Sequence, residues 1–323
     1  MKHLFVILLV FVFSSCSKGI ENTKLSGPVF GTTYAVIYDA EIDYTQQIDS
    51  LFLAVNQALS TYLPDSDISK INRNEPVQID HHFQTVLDAS KHIYKETNGV
   101  FDPTIGIAVN AWDFGPKGRI SELDSLKIDS VMQYVGMDKV NRVGQKVLKM
   151  QGAFLDFNAI AKGYGVDVIG EFLESKNVTN YLVEIGGEIR ARGINIEKDN
   201  SWRVGLDEPR FDGEQSVYKA ISLHDEAMAT SGTYRKFKTD DKGNRYAHII
   251  DAKTGYPSKT NILSVSVIAK DCMTADAYAT AFQAMGIEKV TQFLKSHPEL
   301  KVFMIFENNT QELETLNLND FPE

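Results

Sequence analysis

The chain has 323 residues, 43% of them apolar and 24% charged, with a formal net charge of -10. This is globular composition with enough chain for a sizeable core, which excludes a disordered chain and a fibrous repeat. No basic cluster accompanies the acidic balance, so nucleic acid is excluded as an expected partner.

The chain opens with a basic residue, Lys2, followed by an unbroken apolar run from Leu4 to Phe13. That run is too short to span a bilayer comfortably and reads as the core of a signal peptide. It ends in Ser14 and Ser15, directly before Cys16. Small residues followed by Cys resemble the bacterial lipobox, in which the Cys is lipidated and becomes the new N-terminus; Phe13 stands where Leu is usual. Residues 1–15 are therefore expected to be a signal peptide and 16–26 a lipidated N-terminus with a polar tether. An exported, lipid-anchored protein facing the periplasm follows. The other cysteine, Cys272, then has no disulfide partner and reads as a packed thiol.

From Gly27 the pattern turns regular. GPVFGTTYAVIY alternates and is rich in β-formers, which predicts strands. Residues 44 to 60 carry Ile48, Leu51, Phe52, Val55 and Leu59 at helical spacing. A second helix is predicted over about 81 to 97, stopping at Asn98-Gly99, and a third over about 121 to 135, ending at Gly136. LKMQGAFLDF reads as strand and NAIAKGYGVDVIGEFLES as a helix starting at Asn158. NYLVEI and VSVIA read as strands. A helix over about 273 to 285 ends at Gly286, and KVFMIF is a late strand. No repeat or long linker divides residues 27–323, so the expectation is one large mixed domain of the α+β class.

Several segments carry chemistry. Asp276 and Thr280 are four apart on a predicted helix and face the same way; their hard oxygens suit Mg²⁺. An acid near a helix start is also simply favourable to the dipole. Asn158 stands at an expected N-cap, where free N–H groups bind phosphate, and Lys162 follows. Gly163 and Gly165 sit inside that helix at a cost of about 1 kcal/mol each, which points to something close-packed against them. EIGGEI is either a backbone approaching a ligand or a hairpin turn. Thr230, Ser231 and Gly232 offer hydroxyls and N–H groups suited to an anionic oxygen. His248, at a strand end, is placed to take a proton from an attacking hydroxyl, or is a half-buried strand residue. Asp102, held extended by Pro103, is either an adenine-reading acid or part of a surface turn.

No one of these segments decides the matter, but their order does. GTTY, STYLPDSDISKIN, GVFDPTIG, WDFGP, LDFNAIAKGYGVD, EIGGEI, ATSGTYR, HIIDAKTG and ADAYATA run through nearly the whole mature chain. The series closely resembles the ApbE-like FAD:protein FMN transferase family. The resemblance implies Mg²⁺ held by Asp276, Thr280 and the backbone oxygen of Ala159. It places Asp156, Lys162, Phe30, Tyr62, Val100, Phe101, Asp102 and Ile250 against FAD and makes His248 the base, with Asp251 assisting. It also implies an acceptor protein, expected to be a subunit of a membrane redox complex. Two positions depart from the pattern: Phe30 replaces a common Met, and Ala252 replaces a usual Pro.

The expected reaction is attack of an acceptor Thr or Ser hydroxyl on the FMN-side phosphorus of FAD, with AMP leaving. Three other readings compete. A Mg²⁺-dependent FAD pyrophosphatase would use the same residues with water as the attacker. A non-catalytic flavin-binding lipoprotein would have no use for a metal. A penicillin-binding-type serine enzyme would use SVYK (Ser216 to Lys219) and KTG (Lys253 to Gly255), but no SDN-like element lies between them.

Overall fold

A computed structural model of the chain describes residues 21–118, 120, 123–234, 237–239 and 245–323. The expected signal peptide, Cys16 and Arg235 of the ATSGTYR segment lie outside them. The first hairpin joins β1 (Thr23–Val29) to β2 (Thr32–Tyr38) through Phe30 and Gly31, both at positive φ. Two residues at positive φ match the right-handed twist of the strands they join. β1 opens ahead of Gly27, so residues 23–26 belong to the sheet and not to a tether: Leu25 pairs with Val36 in register.

A long helical excursion follows. It contains α1 (Thr45–Leu59), α2 (Asp67–Asn72), α3 (His81–Glu96), α4 (Gly106–Ala111), α5 (Ser125–Met132), the small hairpin β3 (Val140–Val143) and β4 (Lys146–Lys149), and α6 (Ala161–Ser175). The chain then returns to the sheet as β5 (Tyr181–Ile185) and β6 (Glu188–Arg192). β7 (Ile194–Asn195), β8 (Asn200–Asp207) and β9 (Val217–Leu223) form a separate three-stranded sheet. The main sheet resumes at β10 (Ala227–Gly232). After the short pair β11 (Phe237–Thr239) and β12 (Arg245–Ala247) come β13 (Ile262–Ala269), α7 (Cys272–Met285), α8 (Ile287–Leu294), β14 (Lys301–Glu307) and β15 (Leu313–Leu318).

The main sheet has eight strands in the order β1-β2-β5-β6-β10-β13-β14-β15, antiparallel at every pairing. One face carries Val265, Val267, Ala229 and Val302 against the helices, where Phe83, Phe157, Tyr278 and Phe282 complete the core. The other face carries Met228, Ile268 and Phe303 against Trp202, Val204 and Ile221 of β8 and β9. β13 is central and covered on both sides, so its whole run is apolar or buried polar. The α+β expectation holds. Among the described residues no helix is long and apolar enough to cross a membrane.

Three predicted elements differ. The strand expected over 148–157 ends at Lys149, because Gly152 turns at positive φ and only Phe154 bridges, to Ile105. The helix expected from Asn158 begins at Ala161. Asn158 is not its cap: the Asp156 carboxylate accepts the Asn158 N–H at 2.9 Å and holds a turn there instead. The helix expected over 121–135 is the shorter α5, capped by Asp124, whose side chain accepts from the Lys127 N–H.

Candidate active site

The site sits where α6 meets α7. Asp276 is on the second turn of α7, and Oδ2 accepts the Gly163 N–H of α6 at 3.0 Å. The approach requires glycine: a Cβ at Gly163 would overlap the Cys272 carbonyl and lie 2.8 Å from the Asp276 Cβ. Gly165, one step along, leaves room for the Phe30 ring, which a Cβ there would meet at 2.7 Å. Phe30 is bulky and sits at φ 48°, an unfavourable combination. Its ring is held by this seat and by edge contact with Phe52, centroids 5.6 Å apart. The two helical glycines are therefore the price of close packing.

Asp167, also on α6, fixes the start of α7. Its carboxylate accepts the N–H groups of Cys272 at 2.9 Å and Met273 at 2.7 Å, and pairs with Arg190 at 2.9 Å. Burial pushes the Asp167 carboxyl up to about 6; the two N–H bonds and Arg190 offset only part of that. Cys272 is buried and its thiol is raised by burial, as expected of a packed thiol.

Around this junction lies a cavity of about 860 Å³. It brings together Phe30, Tyr62, Val100, Phe101, Asp102, Asp156, Ala159, Lys162, Thr230, Ser231, His248, Ile250, Asp276 and Thr280. Residues separated by more than two hundred positions in sequence thus share one space. Tyr62 stands at the rim, 56% exposed. Asp102 is buried, and one of its carboxylate oxygens accepts the Thr104 N–H at 2.8 Å and its hydroxyl at 2.6 Å. Burial raises the Asp102 carboxyl and the Thr104 bonds oppose the rise. Thr230 shares a 2.8 Å hydroxyl contact with Ser266 on β13.

His248 follows β12, half-buried, with its ring edge-on to Phe114 at 6.3 Å between centroids. Asp251 is not in the cavity wall. Its carboxylate accepts the N–H groups of Lys253 at 2.7 Å and Thr254 at 3.2 Å, and so closes the turn that follows His248. The same turn is tied back by the Ile250 to Pro257 bridge and by the Trp112 indole donating to the Gly255 carbonyl at 2.8 Å.

One site residue has no counterpart in the sequence expectations. Glu188, the first residue of β6, is 3% exposed, lines the cavity, and has Oε2 2.6 Å from Lys162 Nζ. EIGGEI is a two-residue hairpin turn, with Gly186 and Gly187 both at positive φ. That register sets Glu188 opposite the buried Ile185, on the same face. An acid in a core position was the available signal. Burial raises the carboxyls of both Glu188 and Asp276, and Lys162 lowers both. One ammonium thus serves two buried carboxylates. Such a corner suits a hard divalent cation, with Asp276, Thr280 and the Ala159 backbone supplying oxygens.

The order of motifs pointed to a family, and the comparison with known proteins bears that family out. Residues 30–304 match the model of the ApbE family. The chain belongs to the ApbE family. Among ApbE relatives, the FAD:protein FMN transferase of Haemophilus influenzae is 36% identical over 316 residues, spanning 93% of this chain and 90% of the relative. The solved structure of the flavin transferase ApbE from Vibrio cholerae superposes with a TM-score of 0.82 at 34% identity, covering 92% of this chain and 97% of that one. The apo flavinyl transferase ApbE of Pseudomonas stutzeri gives a TM-score of 0.82 at 28% identity, covering 92% and 94%. The serine-enzyme reading fails on geometry as well as on ApbE membership. Ser216 donates to Glu208, Lys219 donates to the Pro322 carbonyl at 3.1 Å, and neither lines the cavity.

Proposed function

We propose that this ApbE chain transfers FMN from FAD to a Thr or Ser hydroxyl of an acceptor protein and releases AMP, with Mg²⁺ held by Asp276, Thr280 and the Ala159 carbonyl. The observation that carries this reading is the convergence of His248, the Thr230–Ser231 strand end and the Asp276–Lys162 corner in one cavity. The names of the Haemophilus and Vibrio relatives, FAD:protein FMN transferases, support the same substrate pair.

The acceptor hydroxyl oxygen forms a bond to the FMN-side phosphorus as the bond to the AMP oxygen breaks. His248 takes the hydroxyl proton. Asp251 acts through the turn: by holding the N–H groups of Lys253 and Thr254 it fixes the loop from which His248 projects. Lys162 and the hydroxyls of Thr230 and Ser231 meet the phosphate oxygens, where charge grows in the transition state. Bound Mg²⁺ would supply further neutralisation of the pyrophosphate. Phe30, Phe101, Phe114 and Ile250 line the cavity with apolar surface, which disfavours water as the attacker. That wall favours transfer over hydrolysis.

We place the protein outside the cytoplasm. Residues 1–15 would direct export and Cys16 would carry the lipid, bringing the site to the periplasmic face of a bacterial membrane. The acceptor there would be a subunit of a membrane redox complex. The support is the basic start, the apolar run and the Ser14-Ser15-Cys16 ending. Replacing Cys16 with Ser should release the protein from the membrane fraction; continued lipid-mass modification of that variant would refute the anchor.

The activity is tested by incubating the full chain in detergent with FAD and Mg²⁺, with and without an acceptor domain. AMP together with flavin-labelled acceptor is the expected result. AMP with free FMN and no label would make the protein a pyrophosphatase, and no AMP in either case would reduce it to a flavin-binding protein.

A further inference from the structure

A second cluster of ligating side chains stands apart from the cavity, at the start of α3. Asp80, His81 and His82 each offer one ligand atom, and these atoms all lie within 4.8 Å of one another. None of the three lines the cavity. The two imidazole rings are in contact, centroids 3.8 Å apart. Asp80 uses Oδ1 to accept the Phe83 N–H at 2.9 Å, as the cap of α3, and keeps its second oxygen. His82 is buried, and its Nδ1 meets the Tyr164 hydroxyl of α6 at 2.8 Å. That contact orients the ring, the arrangement that metal-bound histidines use for their other nitrogen. His81 is exposed.

We propose that Asp80, His81 and His82 form a binding site for a borderline-soft divalent transition metal, of which Zn²⁺ is the representative. Two imidazoles and one carboxylate are zinc-type donors, and they differ in kind from the all-oxygen set suited to Mg²⁺. Zinc at about 2 Å from each ligand spaces tetrahedral donors roughly 3.3 Å apart, so the cluster closes by small side-chain rotations. Tyr164 lies between Gly163 and Gly165, so an ion at this site bears on the helix that carries the catalytic corner.

The inference does not depend on the FAD chemistry, and its test is binding. The full chain in detergent, with millimolar Mg²⁺ present to fill oxygen sites, is titrated with Zn²⁺ and, for spectroscopy, with Co²⁺. One ion per chain with intense Co²⁺ visible absorption is expected. His81→Ala should weaken binding by about tenfold or more, and Tyr164→Phe should weaken it by roughly 10- to 100-fold through the lost ring orientation. Asp80→Asn keeps the helix cap while removing the charge, and should weaken binding with an unchanged melting temperature in EDTA. No stoichiometric Zn²⁺ binding, or binding unaltered in His81→Ala, overturns the site. Binding abolished by Asp276→Ala but kept in His81→Ala overturns it equally, by placing the ion in the cavity.

Discussion

The two walls of the cavity meet the same space with opposite construction. The α6–α7 wall is made of paired helices at glycine-limited distance, with Asp276 and Glu188 buried and Asp167 pinning the helix start. The facing wall is a strand end and a turn, from which half-buried His248 projects, held by Asp251, Trp112 and the Ile250 to Pro257 bridge. On the first wall acids are held where burial disfavours their charge, and a cation offsets that. On the second, the His248 imidazole is half-buried beside a turn. The division places buried carboxylates on closely packed elements and the imidazole beside a turn held by a few hydrogen bonds.

The comparison is broken most sharply at His248. His248→Ala should lower AMP release by roughly 10² to 10⁴-fold while FAD binding and the denaturation midpoint stay near wild type. A large loss of stability instead would make His248 part of the scaffold. Next comes Gly163→Ala, which acts on the other wall. Its added methyl has to push the α7 backbone away, so about 1–3 kcal/mol of stability should be lost in chemical denaturation, together with most of the Mg²⁺ dependence of turnover. An unchanged midpoint would show that the helices have slack.

A pH series sharpens the contrast. The folded Asp167 carboxyl sits near 6, above its unfolded value of 3.8, and Glu188 and Asp276 are shifted in the same direction. The folded state therefore holds protons more tightly than the unfolded chain. Stability from these groups is fully present below about 4 and is lost as pH rises through about 6. Metal-free protein should denature more easily at pH 7 than the trend of other groups gives, and Mg²⁺ should restore the difference; Glu188→Gln should flatten the slope. A metal-free profile that rises across this window would contradict the assignment. A smaller effect is expected from Asp167→Asn. One of two N–H bonds to α7 and the Arg190 charge pair are weakened, so Mg²⁺ affinity should fall more than the acceptor KM changes. The smallest is Tyr62→Phe at the rim, where loss of an exposed hydroxyl should alter AMP release by no more than about twofold. A tenfold change there would bring Tyr62 into the chemistry.

Much of this protein was legible in its sequence, because its signals are local or ordered. Helical spacing placed α1, Asn98-Gly99 ended α3, alternation placed β2, and Gly186-Gly187 ended β5. The order of motifs named the family, and with it the residues now found along one cavity. The glycines of α6 announced a close contact, although not with what. Other features depended on contacts across long separations. Asn158 looked like a helix cap until the Asp156 carboxylate took its N–H. Asp251 was expected to assist His248, and only the structure shows that its carboxylate closes the turn after it. Glu188 became a site residue only because a Gly-Gly turn sets it in register with Ile185 and the sheet then faces Lys162 and Asp276 from other elements. Sequence by itself determined element types through spacing and propensity, and the family through the resemblance of its ordered motifs. Burial, which disfavours an acid's charge unless a cation offsets it, was decided by the tertiary structure alone, since it depends on what residues distant in the chain place around it.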